Sequence, residues 1–528
     1  MDKGKMFCCQ CEQTARGCGC TEIGVCGKSA ETAHAQDALT ESLVRLAVAC
    51  REKGGSPDPR TVGLLVDGLF SCVTNVDFDP WELRCRTLSV DDAVRKLEDP
   101  DDPCTFRLES VWREPPMTRS LKSLLLFGLR GMAAYASHAA RLGSRSPIVD
   151  AFFVKGLSAL AEKMRADRLL TLVLELGQAN GACMALLDKA HRAAFGDPTP
   201  TSVTLAVDPG PFIVVTGHDL LDLKEILEQT EGTGVNIYTH GEMLPAHGYP
   251  ELRRHRHLRG HFGTAWQNQQ REFEGLPAPI LWTTNCLMPP RPSYADRVWT
   301  TGLVHYPGVH FVTATGGTKD FSGLIAQAQA LGGWTKGRLF TGINGGTTIR
   351  TGYGYRSILA EADKLADAVK RGAVKRILLV GGCDGARPGR SYYTELVRRA
   401  PADWIVLTLA CGKFRFNDLD LGEIEGIPRL MDLGQCNDAH GAIQVALGLA
   451  AMFGCTVNDL PLSLVMSWYE QKAVAVLLTL LALGVRNILL GPTQPAFVSS
   501  ELLAILGERF GLRLTAEVGS DLADLASR

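Results

Sequence analysis

A chain of 528 residues, 45% hydrophobic and 21% charged, has the composition of an ordinary globular protein and is long enough for roughly three domains. Its formal net charge of −2, without a long basic run, argues against nucleic acid or an anionic membrane as a partner. The start of the chain lacks the basic, apolar and small-residue segments of an export signal, so a reducing cytoplasmic setting is expected and disulfides are not.

Sixteen cysteines are more than this composition needs, and several crowd into the first thirty residues. Cys8, Cys11, Cys20 and Cys26 in FCCQCEQTARGCGCTEIGVCGK form C-x2-C-x8-C-x5-C. Thiolate sulfur is the preferred ligand of iron in iron–sulfur clusters, and a C-x2-C turn brings two sulfurs to neighbouring corners of one cage. A structural zinc site would use the same four thiolates. Cys9 and Cys18 are spare and leave the ligand choice open.

From about residue 34 to 196 apolar residues recur at intervals of three and four, as in SLKSLLLFGLRGMAAYASHAARLG, and predict a helical bundle. Cys50, Cys72, Cys85, Cys104 and Cys183 fall within it as ordinary thiols. The turn-forming segment GDPTPTSVTLAVDPG, residues 196–210, marks a boundary. Beyond it the pattern changes to short β-branched runs, each followed by a glycine-containing turn and a helical stretch: PFIVVTG, VNIYTH, PILWTTN, VHFVTAT, RILLVGG, DWIVLTLA, RLMDLG, LSLVMSW and NILLGP. The helix-like YRSILAEADKLADAVKRG separates the first four from the rest. The expected fold class is therefore multidomain, α plus α/β, with a helical domain over 1–200 and two Rossmann-like parallel-sheet domains over 201–350 and 351–528. The longest apolar run, AVAVLLTLLALG after Lys472, is too short to span a bilayer.

Chemistry gathers just past the strands. His218 follows PFIVVTG, Glu242 lies past VNIYTH, Cys286 ends PILWTTN, Cys383 follows RILLVGG, Cys411 follows DWIVLTLA, Cys436 follows RLMDLG and Glu470 follows LSLVMSW. In open parallel sheets the carboxyl ends of strands border the binding crevice, so residues spread over some 250 positions can meet there. Each has a simpler reading: a lone cysteine as a small buried hydrophobe, a glutamate placed for the N-terminus of the next helix, His218 as a neighbour of a cap, with His240 and His247 as rival imidazoles. Seven equivalent positions together point to one metal site, and the mixed N, O and S donors point to iron with some oxygen ligation.

The segments FCCQCEQTARGCGC, VCGK, TGHDL, YTHGEMLPAHGYP, TTNC, GGCDGARPGR, ACGKFRFN, GQCND and SWYEQKAVAVLL closely resemble, in order and over nearly the whole chain, the hybrid cluster proteins, also called prismane proteins or hydroxylamine reductases. That resemblance implies a [4Fe-4S] cluster on Cys8, Cys11, Cys20 and Cys26, rather than the [2Fe-2S] form, with Cys9 and Cys18 as bystanders. It implies a hybrid [4Fe-2O-2S] cluster on His218, Glu242, Cys286, Cys383, Cys411, Cys436 and Glu470, with a cysteine persulfide at Cys383 and Lys472 as a pocket residue. The helical domain is somewhat shorter than in the longest members, with the order of motifs intact.

The activity implied is reduction of hydroxylamine to ammonia and water at the hybrid cluster, with the N-terminal cluster as electron entry. By its closeness in sequence to the ligand motifs, rather than by the resemblance, His240 is a candidate proton donor, with Glu242 and Glu470 as carboxylates that could shift between iron and a proton. Neither ATGGTKDF nor INGGTTIRTGYG has the spacing of a nicotinamide site. The donor is therefore expected to be a separate ferredoxin-like protein or flavin or iron–sulfur reductase. Three other readings fit the same residues: nitric oxide reduction, a nitrosative-stress role as an S-nitrosylase, and, more distantly, a nickel carbon monoxide dehydrogenase.

Overall fold

Ser29, Asp58 and Asp79 each cap a helix by accepting backbone N–H groups of its first turn. The helices they open are Ala30–Lys53, Pro59–Ser71 and Pro80–Leu97. In the last two a proline takes the first helical position, where no donor is missed. Pro116–Arg141, Pro147–Leu160 and Ala166–Phe195 complete the helical unit. The structure is a computed structural model and describes residues 4–54, 56–387 and 389–527.

By length and composition Ala166–Phe195 could cross a membrane, but it packs between Pro116–Arg141 and a helix from far along the chain, Gln471–Ala482. A Cβ on Gly177 would lie 2.2 Å from the Leu478 carbonyl oxygen, so only glycine permits this approach. Leu477, Leu478 and Leu481 are buried in the contact, each contributing about 1.5–3 kcal/mol of burial.

Two six-stranded sheets follow. The first contains β1 (Phe212–Thr216), β2 (Asn236–Thr239), β3 (Leu258–His261), β4 (Ile280–Trp282), β5 (Val298–Thr301) and β6 (His310–Val312), in the order β3-β2-β1-β4-β5-β6. The second contains β7 (Arg376–Gly382), β8 (Trp404–Leu409), β9 (Leu430–Asp432), β10 (Leu462–Ser467), β11 (Ile488–Gly491) and β12 (Arg513–Leu514), in the order β9-β8-β7-β10-β11-β12. Every pairing within them is parallel. Both sheets are thus wound outward in two directions from a central first strand, and β1 and β7 occupy equivalent places at the switch points.

All nine β-branched runs become strands of these sheets; β3, β5 and β12 are additional. The turn-rich boundary holds two short strands. Thr201–Thr204 pairs antiparallel with Thr348–Thr351, and Ala206–Val207 with Arg338–Leu339, which ties the entry of the first sheet unit to its exit. The segment read as one long helix after that exit is two, Tyr355–Ala360 and Ala362–Lys370, parted at Glu361.

Candidate functional site

Just past the carboxyl end of β1 comes His218, fully buried. Its Nδ1 lies 2.9 Å from the Thr284 hydroxyl, in the turn that follows β4. That contact leaves Nε2 directed at Glu242 Oε2, 4.0 Å away, and without a hydrogen-bond partner. Glu242 sits in the helical turn Gly241–Gly248 after β2, where its Oε2 accepts from the Cys436 backbone N–H at 2.9 Å and its Oε1 has no hydrogen bond. Donor atoms of His218, Glu242 and Cys436 lie within 4.8 Å of one another. The two sheet units therefore meet here: β1 and β2 supply two of these side chains and β9 the third.

The remaining sequence-predicted residues join the same cluster. Cys411, past β8, lies close enough to Cys286 and Cys383 to perturb both thiols. Cys436 feels the charges of Glu242, Glu470 and Cys383. Glu470 caps the helix Gln471–Ala482, its Oε2 accepting from the Lys472 N–H at 2.9 Å, so it serves that helix and faces the cluster as well. Two turns carry backbone strain: Cys286 at φ 73° and Ala410, just before Cys411, at φ 66°. Such non-glycine left-handed residues cost about 1–3 kcal/mol each and persist only where the surroundings fix them.

Electrostatics bear on what the cluster can hold. Burial pushes the Glu242 and Glu470 carboxyls above the usual carboxylate range, against the pull of Lys413 and Lys472 respectively. Burial also raises the Cys436 thiol, while contact with Cys411 and then burial raise Cys383. Burial, reinforced by Lys472, holds His218 neutral. Packing so many anionic donors in a dry pocket is costly unless a multivalent cation neutralises them. The unpartnered His218 Nε2 and Glu242 Oε1, beside four cysteines and one further carboxylate, fit a multinuclear iron–sulfur group with oxygen ligation.

Lys472 and Lys413 are also fully buried. Lys472 Nζ lies 3.9 Å from Glu470 Oε1 and 3.4 Å from Asn285 Oδ1. Burial works against its charge, yet Cys436, Glu470 and Cys286 hold its pKa above the lysine range. The sequence reading did not single out Lys413. Its Nζ lies 3.0 Å from Asp432, 2.9 Å from the Gly434 carbonyl and 3.8 Å from Glu242. His240 is buried with Nδ1 3.0 Å from Thr216 Oγ1 and Nε2 3.0 Å from Glu272 Oε2. Both its nitrogens are thus engaged outside the His218, Glu242 and Cys436 trio.

An apolar cavity of about 140 Å³ adjoins the site. Cys383, Cys436, Lys472 and Tyr135 line it at the site, while Leu447 and Leu483 line it where it nears the surface, both partly exposed.

The four N-terminal cysteines form a second group. Cys8 and Cys20 pair through their backbones as an isolated antiparallel bridge, and Cys11 feels the charges of Cys26, Cys8 and Cys20. The Thr14 hydroxyl lies 3.7 Å from Cys20 Sγ, and the Ala15 N–H donates to that sulfur at 3.4 Å. Cys9 is buried in the main core, and Cys18 is exposed with its thiol toward the Arg16 carbonyl. Tyr469 stands between the two groups, feeling Cys11 and Cys26 as well as Cys286 and Cys383, with its ring stacked 4.4 Å from that of Trp266. The Glu12 N–H donates to the Tyr469 carbonyl at 3.0 Å, so one hydrogen bond joins the neighbour of Cys11 to the neighbour of Glu470.

Residues 6–523 match the model of the prismane/CO dehydrogenase family. Among curated relatives, a hydroxylamine reductase of Syntrophobacter fumaroxidans is 49% identical over 547 residues, covering 98% of this chain and 99% of that protein. One of Maridesulfovibrio salexigens is 46% identical, with the same coverage of both. Carbon monoxide dehydrogenase IV from Carboxydothermus hydrogenoformans shares the fold, with a TM-score of 0.58 at 17% identity, covering 100% of this chain and 93% of that one. Chains of acetyl-CoA synthase/carbon monoxide dehydrogenase give a TM-score of 0.59 at 16% identity, covering 96% and 83%. The family match over nearly the full length, together with these relatives, establishes that the chain belongs to the prismane/CO dehydrogenase family.

Proposed function

We propose that this protein is an iron–sulfur oxidoreductase that reduces hydroxylamine, with two electrons and two protons, to ammonia and water. The observation that carries this reading is the convergence of His218, Glu242, Cys286, Cys383, Cys411, Cys436 and Glu470 at the facing ends of two sheets, in a chain whose relatives bear that enzyme's name. On this reading the seven residues hold a hybrid [4Fe-2O-2S] cluster, with Cys383 as a persulfide. Such a group supplies electrons and an iron with exchangeable oxygen ligation that acts as a Lewis acid toward the substrate.

The chain's own residues do the rest. Lys472, one of the residues lining the cavity with Cys383 and Cys436, would hold a positive charge and an N–H donor for the leaving oxygen as it gathers negative charge. His240, joined to Glu272 and Thr216, is the proposed proton reserve. Cys8, Cys11, Cys20 and Cys26 hold a [4Fe-4S] cluster that receives single electrons from a separate ferredoxin-like or flavin or iron–sulfur donor in the cytoplasm.

Metal analysis with EPR of the reduced protein tests this. About eight irons per chain, from two four-iron clusters, is expected; a nickel equivalent overturns the reading in favour of carbon monoxide chemistry. Replacing His240 by Gln with iron retained should lower turnover, and turnover unchanged across pH would remove His240 from the mechanism.

The apolar cavity favours a second reading, nitric oxide reduction to nitrous oxide, because a small neutral gas crosses an apolar passage more readily than a hydrogen-bonding substrate does. Steady-state rates with each substrate separate the two.

A further inference from the structure

Three lysines stand two residues beyond a candidate ligand: Lys28 after Cys26, Lys413 after Cys411 and Lys472 after Glu470. All three are buried. Each ammonium faces a candidate ligand: Lys28 Nζ lies 3.3 Å from Cys8 Sγ, Lys413 Nζ 3.8 Å from Glu242 and Lys472 Nζ 3.9 Å from Glu470. Lys413 and Lys472 belong to the two-sheet site. Lys28 belongs to the N-terminal group, where the proposed reaction consumes no proton.

The Lys28 ammonium is held from its other side as well. Gln36 Oε1 accepts from Nζ at 2.8 Å, while Gln36 Nε2 donates to the Asp77 carbonyl at 3.3 Å, which fixes the amide with its oxygen toward the lysine. Gln36 is itself buried on the first long helix. Lys28 therefore cannot extend its charge into water, as surface lysines do. The other charges it feels are the Cys26 thiolate, the Asp37 carboxylate and the Arg130 guanidinium.

We propose that Lys28 sets the reduction potential of the N-terminal centre, its buried ammonium stabilising the reduced state of a cluster bound by Cys8, Cys11, Cys20 and Cys26. The inference rests on the reading of those cysteines as [4Fe-4S] ligands. Accepting one electron makes the cluster and its thiolates more negative by one charge, with no ligand gained or lost. A cation fixed at contact distance in a weakly screening medium attracts that state more strongly than the oxidised one. The N–H donated to sulfur acts in the same sense, since hydrogen bonds to cluster sulfurs are among the features that set such potentials. An entry centre held at a higher potential collects an electron from a donor more readily.

The test is an anaerobic redox titration of the full-length protein, following the EPR signal of the N-terminal cluster with iron content measured alongside. K28M should shift the oxidised-to-reduced ratio at a fixed potential at least tenfold toward oxidised, a fall in midpoint of about 59 mV for one electron. K28R should stay near wild type. Q36E, which sets a carboxylate against the ammonium without touching the cluster, should shift the ratio the same way by a smaller factor. An unmoved midpoint in K28M with full iron overturns the inference. If K28M does not retain iron, Q36E decides, and an unmoved midpoint there overturns it equally. Wild-type protein without a four-iron signal at these cysteines refutes the [4Fe-4S] reading itself, a result distinct from an unshifted midpoint.

Discussion

Lys413 neutralises two carboxylates that have no access to water: Asp432 at 3.0 Å and Glu242 at 3.8 Å. Burial opposes its charge, but those two partners hold its pKa above the lysine range. Removing one member of a buried charge group leaves the others uncompensated, at a cost of about 3–5 kcal/mol. K413M should therefore lose stability of that order in urea titrations of the metal-free chain, with K413R recovering part of it; a loss within experimental error would show that the carboxylates are protonated in the fold. A second expectation concerns Asp77, whose carboxyl burial pushes up to about 8. Its Oδ1 accepts from the Asp79 N–H, but Oδ2 has no partner. A carboxyl raised above its unfolded value of about 3.9 keeps a proton in the fold that the unfolded chain has released, so stability falls as pH rises from about 4 to about 8. D77N keeps the acceptor and removes the charge. Its unfolding free energy relative to wild type should grow between about pH 5 and about pH 8. Parallel stability profiles for the two proteins would reject this.

The helix Gln471–Ala482 places Glu470 at its N-cap and Lys472 in its first turn while its far side beds into the helical unit. G177A would set a methyl group 2.2 Å from the Leu478 carbonyl. Overpacking of this kind costs about 1–3 kcal/mol. Because the displaced helix carries Glu470, G177A should lower iron retention on chelator challenge as well as thermal stability; a fall in stability alone would mean that the strain is absorbed before it reaches Glu470. At this scale much was legible in the sequence. Short β-branched runs such as RILLVGG and DWIVLTLA, bounded by glycine-containing turns, read as strands covered on both faces, and the residue after each was a candidate because the carboxyl ends of such strands border the crevice. β3 escaped because LRGH, at the sheet edge, mixes exposed Arg259 with buried neighbours and has no apolar run. The partners of His240 escaped because Glu272 lies 32 residues away and no local pattern links them. Lys28 and Lys413 lay inside the quoted motifs VCGK and ACGKFRFN, and their shared offset of two from a cysteine was the available signal. Their burial was not, since a lone lysine in a sequence is ordinarily solvated.

Across the whole molecule the fold brings to one place residues separated by most of the chain. Glu12, beside Cys11, accepts both guanidinium nitrogens of Arg390 at 2.9 and 2.6 Å and the Thr493 hydroxyl at 2.8 Å, and its N–H reaches Tyr469. Arg390 also donates to Asp384, the residue after Cys383, at 3.0 Å. A chain cut after residue 400 retains Arg390 but lacks β10 and the segment that follows it. In such a truncation the N-terminal cysteines should react with thiol reagents at rates near those of the unfolded chain, whereas protection equal to that in the full chain would show that the loop closes without the chain beyond residue 400.

The same contacts impose a schedule on the chain's synthesis. Thr493 lies 481 residues after Glu12. At ribosomal speeds of about 5–20 residues per second, the first cysteines emerge roughly 25–100 s before their last partners exist. Throughout that interval their sulfurs are open to oxygen and stray metals, so the centre nearest the start of the chain is among the last that can be sealed.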